Sequence, residues 1–285
     1  MTTAARVSVL MTVFNREQFI TEAIESVMAS TFEDFELIIT DDQSTDSSVE
    51  MARSYAEKDK RVRVEVNDTR LGDYPNRNRA AALASGEYLK YVDADDYLYP
   101  TGLQVLVSGM ESFPDAGYGL CSLEQDAGRP FPFQLSPREA YLRHYFGEPL
   151  FHKAPLSSII RRDAFRAVGG FSGRRSVGDF EMWHKLSARF PVVLMPGGVV
   201  WYRVHDEQES KLERDQPLEW LNLSWQVTRQ QLADENCPLD ASEVKRIASG
   251  LSTRKARLAA IKAARFRPRE FAQVMRLGTS IVTST

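Results

Sequence analysis

Residues 88–100 read YLKYVDADDYLYP, and three carboxylates, Asp93, Asp95 and Asp96, stand within four positions at the end of the apolar run Tyr88–Val92. Packing alone does not ask for such a cluster. One aspartate there suits a capped helix start, with Pro100 near the next helix. Three together repel one another, and a counter-charge relieves the repulsion. A divalent cation is a natural one, because hard carboxylate oxygens suit Mg2+ or Mn2+. A second pair, Asp41-Asp42, opens the polar run DDQSTDSS after the apolar stretch Phe35–Thr40. That run is good turn chemistry. A carboxylate in it could also accept the imide N–H of uracil or thymine in a charge-assisted hydrogen bond. Cytosine and adenine lack that donor, whereas guanine has N1–H and N2–H. Thr12 and Phe14, at the end of the first apolar stretch, could add a polar contact and a stacking face. A lone Phe at such a place is more often a core residue.

Two other carboxylate motifs do not fit. A calcium-binding EF-hand loop needs Gly at its sixth position and Glu at its twelfth; counted from Asp93, these are Leu98 and Gln104. A haloacid-dehalogenase-type phosphatase usually places its DxD on the first strand, with Thr or Val at the fifth position. Here the fifth residue is Tyr97 and the pair comes late.

The elements that must position these groups alternate. Arg6–Val13, Phe35–Thr40 and Tyr88–Val92 read as buried strands, and Arg61–Val66 has the period-two pattern of a half-exposed one. Between them, Phe19–Val27, Ser48–Glu57 (capped at Ser47 or Asp46) and Asn76–Ser85 have helical spacing. Strands alternating with helices predict a doubly wound, mostly parallel α/β sheet, with ligands outside the carboxyl ends of the strands. All five carboxylates sit at such ends. AGRPFPFQLSP, within about 126–150, reads as a loop over the site. Ser157–Arg161 and Val199–Val204 read as strands, Asp163–Val168 and Asp179–Ala188 as helices, and the chain beyond about 215 as helices only.

The whole chain sets broad limits. Its 285 residues are 43% hydrophobic and 26% charged, as in ordinary globular proteins, and a net charge of −3 gives no reason to expect nucleic-acid binding. Cys121 and Cys237 form no metal or redox motif, which suits a reducing cytosol. MTTAARVSVLM reads as a strand rather than a signal peptide. No run of about 18 apolar residues spans a membrane.

VSVLMTVFNREQFITEAIESVMASTFEDFELIITDDQSTDSS resembles the opening of the family 2 glycosyltransferases, inverting enzymes of GT-A fold. NRNRAAALASGEYLKYVDADDYLYP resembles their later segment ending in the DxD, and the likeness covers about residues 5–205. Ser30 and Gln43 depart from the family pattern without touching chemistry. The resemblance implies a Rossmann-like GT-A catalytic domain over 1–212, with a nucleotide-sugar half at about 1–100 and an acceptor half at about 101–212. A helical region over 213–285 would follow.

It also implies roles. Asp42 would contact the base, with Thr12 and Phe14 beside it. Asp93 and Asp95 form the DxD and would both be residues of the metal site, Asp95 the most direct ligand of Mn2+ or Mg2+, and the cation would bridge the diphosphate of a nucleotide-sugar, a UDP-sugar by preference. Arg77 and Asn78 would line the donor site unless they are simply helix-surface residues. VVWYRVHDEQES matches a late family segment, making His205 a further metal ligand and Arg203 a diphosphate contact. In SVGDFEMWHKL, Asp179 matches the general base that deprotonates an acceptor hydroxyl on a glycan or lipid-linked saccharide. Gly178 stands where the family has Glu. Glu181 is the competing base, and Asp179 could also cap its helix. FRAVGGFSG matches a family loop, and Trp183 is either core or acceptor-site wall.

Residues 241–277 carry ten Lys or Arg against two Glu. A basic amphipathic helix of this kind could lie on an anionic membrane, placing a cytoplasmic protein at the inner face, or form a solvated appendage packed on the catalytic domain. Two rival functions remain. A sugar-1-phosphate nucleotidyltransferase needs a Gly-rich basic loop near the N-terminus, and LMTVFNREQF has no glycine. A non-catalytic nucleotide-sugar binder has Gly178 in its favour.

Overall fold

The computed structural model describes residues 5–205 and 215–281. Strands β1 (Val7–Val13), β2 (Phe35–Asp41), β3 (Val62–Val66) and β4 (Tyr88–Tyr91) alternate with α1 (Ile20–Met28), α2 (Ser48–Ala56) and α3 (Asp73–Leu83). The four strands run parallel in the order β3-β2-β1-β4. Their apolar runs follow from burial on both faces. On β1, Leu10 belongs to one apolar layer, with α3, while Val9 and Met11 belong to the other, with α1 and α2. β3 lies at the edge, and its alternating pattern is half exposed as expected.

Beyond β4 the sheet changes character. β5 (Tyr97–Leu98), α4 (Gly102–Glu111), β6 (Tyr118–Leu123), β7 (Phe133–Leu135), α5 (Pro137–Phe146), β8 (Ser158–Arg161), α6 (Arg162–Ala167), α7 (Gly178–Arg189), β9 (Val192–Pro196) and β10 (Val200–Trp201) follow in order. The main sheet continues as β4-β8-β6-β9-β7, with β8 antiparallel to both neighbours and β7 antiparallel to β9. The stretch read as a loop thus contains β7 and α5. Helix α5 opens with a capping box in which Ser136 and Glu139 satisfy each other's backbone N–H.

The strand expected over Val199–Val204 shrinks to β10, paired with β5 outside the main sheet. The reason is local: the Arg203 N–H donates to Asp96 Oδ1 at 3.0 Å rather than to a strand.

Three further helices close the described chain: α8 (Pro217–Ala233), α9 (Ala241–Ala264) and α10 (Pro268–Arg276). The expected boundary at 212/213 lies outside the described residues, as do residues 206–210 of the late family segment. Val227 and Leu232 of α8 and Val244 and Ile247 of α9 join the same apolar cluster as α3, α5 and α7. The first part of the helical region therefore shares the main core. Among the described residues, no helix is long and apolar enough to cross a membrane.

Candidate active site

The ends of β1, β2 and β4 bring the sequence-predicted carboxylates to one edge of the sheet. Asp93 is clamped by Arg77, with Nη1 to Oδ1 at 2.6 Å and Nη2 to Oδ2 at 2.9 Å. Such a two-pronged pair is among the stronger polar contacts a protein makes. Arg77 Nε also donates to Asp73 Oδ1 at 2.8 Å, and its side chain is 8% exposed. Thr12 Oγ1 makes a long contact of 3.4 Å to Asp93.

Asp95 Oδ2 lies 2.9 Å from His205 Nε2 and accepts from Arg16 Nε at 2.9 Å. Arg203 supports the segment, its Nε donating to the Asp95 carbonyl at 2.8 Å and its Nη2 to Glu22 at 2.5 Å. Sequence reasoning expected a cation as the counter-charge to this cluster. In the fold, the guanidiniums of Arg77 and Arg16 already balance Asp93 and Asp95. Asp96 is different. Its Oδ2 is buried without a donor, and burial, reinforced by Asp93 and Asp95, pushes its carboxyl up to about 8.

These contacts bear on which residues fit a metal. The Asp95 carboxylate and the His205 imidazole lie together, a donor pair that suits Mn2+ better than Mg2+, although Arg16 also holds Oδ2 of Asp95. Asp93 fits less well as a direct ligand, because both its oxygens are held by Arg77. Among the described residues, no three His, Cys, Asp or Glu side chains are gathered as a ready ligand set. The residues therefore fit a cation bound through one or two protein groups, with substrate and water oxygens completing its shell, which is the usual habit of Mg2+.

The second pair sits beside this cluster. Asp42 is buried and accepts from Asn67 Nδ2 at 3.0 Å, the Leu71 N–H at 2.7 Å and the Gly72 N–H at 2.8 Å. A carboxylate has about four acceptor positions, so roughly one, on Oδ2, is left for a ligand donor. Asp41 accepts from the Ser44 N–H through Oδ2, while its Oδ1 is buried without a donor. Phe14 is half-buried, with the Arg70 guanidinium 3.7 Å from its ring centre. It is not one of the buried core residues.

Asp179 lies within electrostatic reach of Arg77. It lies in the first turn of α7, behind the cap residue Val177, so it is not the N-cap. Its Oδ1 accepts the Phe180 N–H at 2.7 Å, and its own N–H donates to Tyr74 Oη at 3.2 Å. Burial raises its carboxyl to about 6; the Phe180 N–H and the charge of Arg77 hold the rise in check. Gly178 has a packing cause, since a Cβ there would stand 2.7 Å from the Tyr74 ring. Glu181, the competing base, is turned onto Ser172, Arg174 and Lys185.

Two expected residues serve as struts. Both ends of the Asn78 amide bond the backbone of Phe171, at 2.8 and 3.0 Å, so Asn78 holds the glycine-rich loop before α7. Trp183 is fully buried, stacked on Tyr118 and bonded to the Lys153 carbonyl at 2.6 Å; it is core.

Several participants escaped sequence reasoning. Arg16 and Tyr74 reach partners 79 and 105 residues away, and nothing local announces that. Asp41 and Asp96 stood in visible clusters but were assigned no role. Lys90, in the middle of β4, is fully buried; it donates to the Leu156 carbonyl, and burial brings its amine down to about 8.

The family model for glycosyl transferase family 2 matches residues 8–169. The chain is 27% identical over 190 residues to the putative glycosyltransferase EpsE of Bacillus subtilis (strain 168), covering 64% of this chain and 67% of that protein. It is 31% identical over 122 residues to an uncharacterized glycosyltransferase of Haemophilus influenzae, covering 41% of this chain and about half (49%) of that protein. Among solved structures it resembles S. aureus TarS 1-349 in complex with UDP, with a TM-score of 0.65 and 19% identity over 85% of this chain and 69% of that one. It also resembles the mannosyltransferase PcManGT from Pyrobaculum calidifontis in complex with GDP-Man and Mn2+, with a TM-score of 0.61 and 19% identity over 96% of this chain and 86% of that one. At such identities the structural likeness is one of fold, the GT-A arrangement of a mostly parallel mixed sheet flanked by helices.

Proposed function

The chain belongs to glycosyl transferase family 2, and on that premise we propose that it transfers a sugar, with inversion, from a nucleoside diphosphate donor to a hydroxyl of a glycan or lipid-linked saccharide. A UDP-sugar is the favoured donor. UDP is bound by a structural neighbour, and the free acceptor position of Asp42 suits an imide N–H. A cytoplasmic setting goes with this reading.

What supports it most is the place of Arg77. The guanidinium grips Asp93 of the DxD, and its charge acts on the Asp179 carboxyl. Asp179 takes the proton of the acceptor hydroxyl as that oxygen attacks the sugar from the face opposite the leaving diphosphate. A base near 6 is ionised at neutral pH yet basic enough to receive the proton. Asp95 and His205 would hold the divalent cation, which when bound offsets the charge growing on the diphosphate. Tyr74 and the first turn of α7 fix Asp179 in place. The packing reason for Gly178 supports reading it as a fitted residue rather than a sign of decay.

The test is a thermal-shift comparison of UDP, GDP, CDP, ADP and dTDP, each with and without Mn2+. Binding to the folded chain raises its melting temperature by mass action. A Mn2+-dependent shift strongest with UDP is expected. A stronger shift with GDP or dTDP would keep the chemistry and change the donor, and no shift with any nucleotide would overturn the proposal.

A further inference from the structure

The last two described helices carry a surface that the reaction does not use. Four large apolar side chains stand exposed within fifteen residues: Ile261, Phe266, Phe271 and Met275, with Phe266 93% exposed. Phe271 and Met275 are one turn apart on α10, so they share a face. Val274 and Leu277 pack into a small core with Leu221 and Trp225 of α8.

Around these residues the charge is one-sided. Arg254, Arg257, Arg265, Arg269 and Arg276 are all exposed. Residues 241–277 hold ten basic side chains against two acidic ones, although the chain as a whole is net acidic.

Phe266 is the decisive residue. After the cap residue Arg265, the Phe266 N–H donates to the Ala263 carbonyl at 3.0 Å and the Arg267 N–H to the Lys262 carbonyl at 3.0 Å. This is the helix-ending turn whose left-handed position is usually glycine. Phe266 occupies it with φ 50°. A bulky residue is strained there, and the ring makes up for none of that by packing, since it is almost wholly exposed. A side chain held in solvent against its own backbone preference is explained by a contact outside the molecule.

We infer that the turn between α9 and α10 docks on the surface of a bilayer containing anionic lipid. Apolar side chains projecting from a cationic helix pair enter the headgroup–acyl boundary while the arginines meet lipid phosphates. A single-stranded nucleic acid could stack a base on Phe266 among the arginines, but it has no use for the exposed aliphatic side chains of Ile261 and Met275, which an acyl boundary takes up. The net acidic remainder of the chain is repelled by the same surface, which orients the molecule with this turn toward the membrane.

The test uses the full chain and vesicles of phosphatidylcholine with and without phosphatidylglycerol, at low and high salt. Sedimentation with the anionic vesicles only, weakening with salt, is expected. Phe266→Gly is the informative variant, because glycine suits the backbone and leaves the fold at least as stable. It should lower vesicle binding by about tenfold, on the scale of one aromatic side chain lost from an apolar environment, while melting at or above the wild-type temperature and keeping nucleotide binding. Arg265→Gln/Arg269→Gln should weaken binding to anionic vesicles further. Equal binding by wild type and Phe266→Gly, or binding to neither vesicle, would overturn the inference. So would a labelled oligonucleotide that wild type holds and Phe266→Gly releases, or a wild-type dimer that Phe266→Gly converts to monomer without vesicles. Nucleotide binding is read separately, so failure of this inference leaves the transferase reading standing, and the reverse.

Discussion

In the parallel half of the sheet, chemistry comes straight off strand ends. β2 delivers Asp41 and leads into Asp42, and β4 leads directly into Asp93, Asp95 and Asp96. In the mixed half, Asp179 sits in the first turn of α7 after an irregular loop, and its position depends on a ring of α3 pressed against a glycine of α7. The first arrangement is set by hydrogen-bonded ladders that cannot shift without loss of many bonds. The second is set by a handful of side-chain contacts, and Arg77 joins the two. Small core changes should therefore damage the Asp179 side, while the strand-end carboxylates should change only when their partners are removed.

The largest effect should come from Asp179→Asn. Under the proposed mechanism, loss of the general base costs transfer on the order of a hundredfold to ten-thousandfold, and donor binding, proposed for the parallel half, should persist. Full transfer by this variant would show that the base lies elsewhere. In the wild type, the rate should fall as pH drops through about 6, where Asp179 gains its proton. Stability should move the opposite way. Because the folded carboxyl sits above its ordinary value, its contribution is complete in acid and is lost as pH rises through about 6. Asp179→Asn should accordingly melt higher than wild type above that pH.

Next is Arg77→Met. It leaves Asp93 and Asp73 without their buried partner, and breaking such a pair costs about 3–5 kcal/mol, readable by denaturant titration. A near-neutral result would mean that Arg77 does not hold the halves together.

Gly178→Ala should cost about 1–3 kcal/mol by overpacking against Tyr74. Gly178→Ala/Tyr74→Leu should recover much of that. If the single variant is fully stable and active, the ring does not set the α7 entry. The smallest effect belongs to the helical region, where Glu270→Gln breaks a half-buried pair with Lys262 and a more exposed one with Arg267. Its melting temperature should stay within error of wild type, as is usual for surface ion pairs.

The same contrast explains what could be read from the sequence. Buried parallel strands declare themselves as apolar runs, so β1, β2 and β4 and the carboxylates after them were legible. β7 is three residues long, too short for a periodic signal, and α5 follows it within a stretch that read as loop, although Ser136 and Glu139 carried a readable capping signature. Asp179 was legible only through family likeness. The reason it can stand behind Gly178 lies in Tyr74, over a hundred positions away, and such pairings leave no local trace. The helix-surface possibility for Arg77 and Asn78 also failed for a tertiary reason: one is buried against Asp73 and Asp93, the other is tied to Phe171.

Lys90 has one more consequence, for measurement. Its amine is sealed at the centre of β4, so while covered it cannot meet an acylating reagent, and once uncovered it reacts as an ordinary lysine does. Surface lysines react at once and can be counted separately by mass. The slow modification of Lys90 then serves as an internal clock for opening of the central sheet, timing how often the strand beneath the carboxylates is laid bare under native conditions.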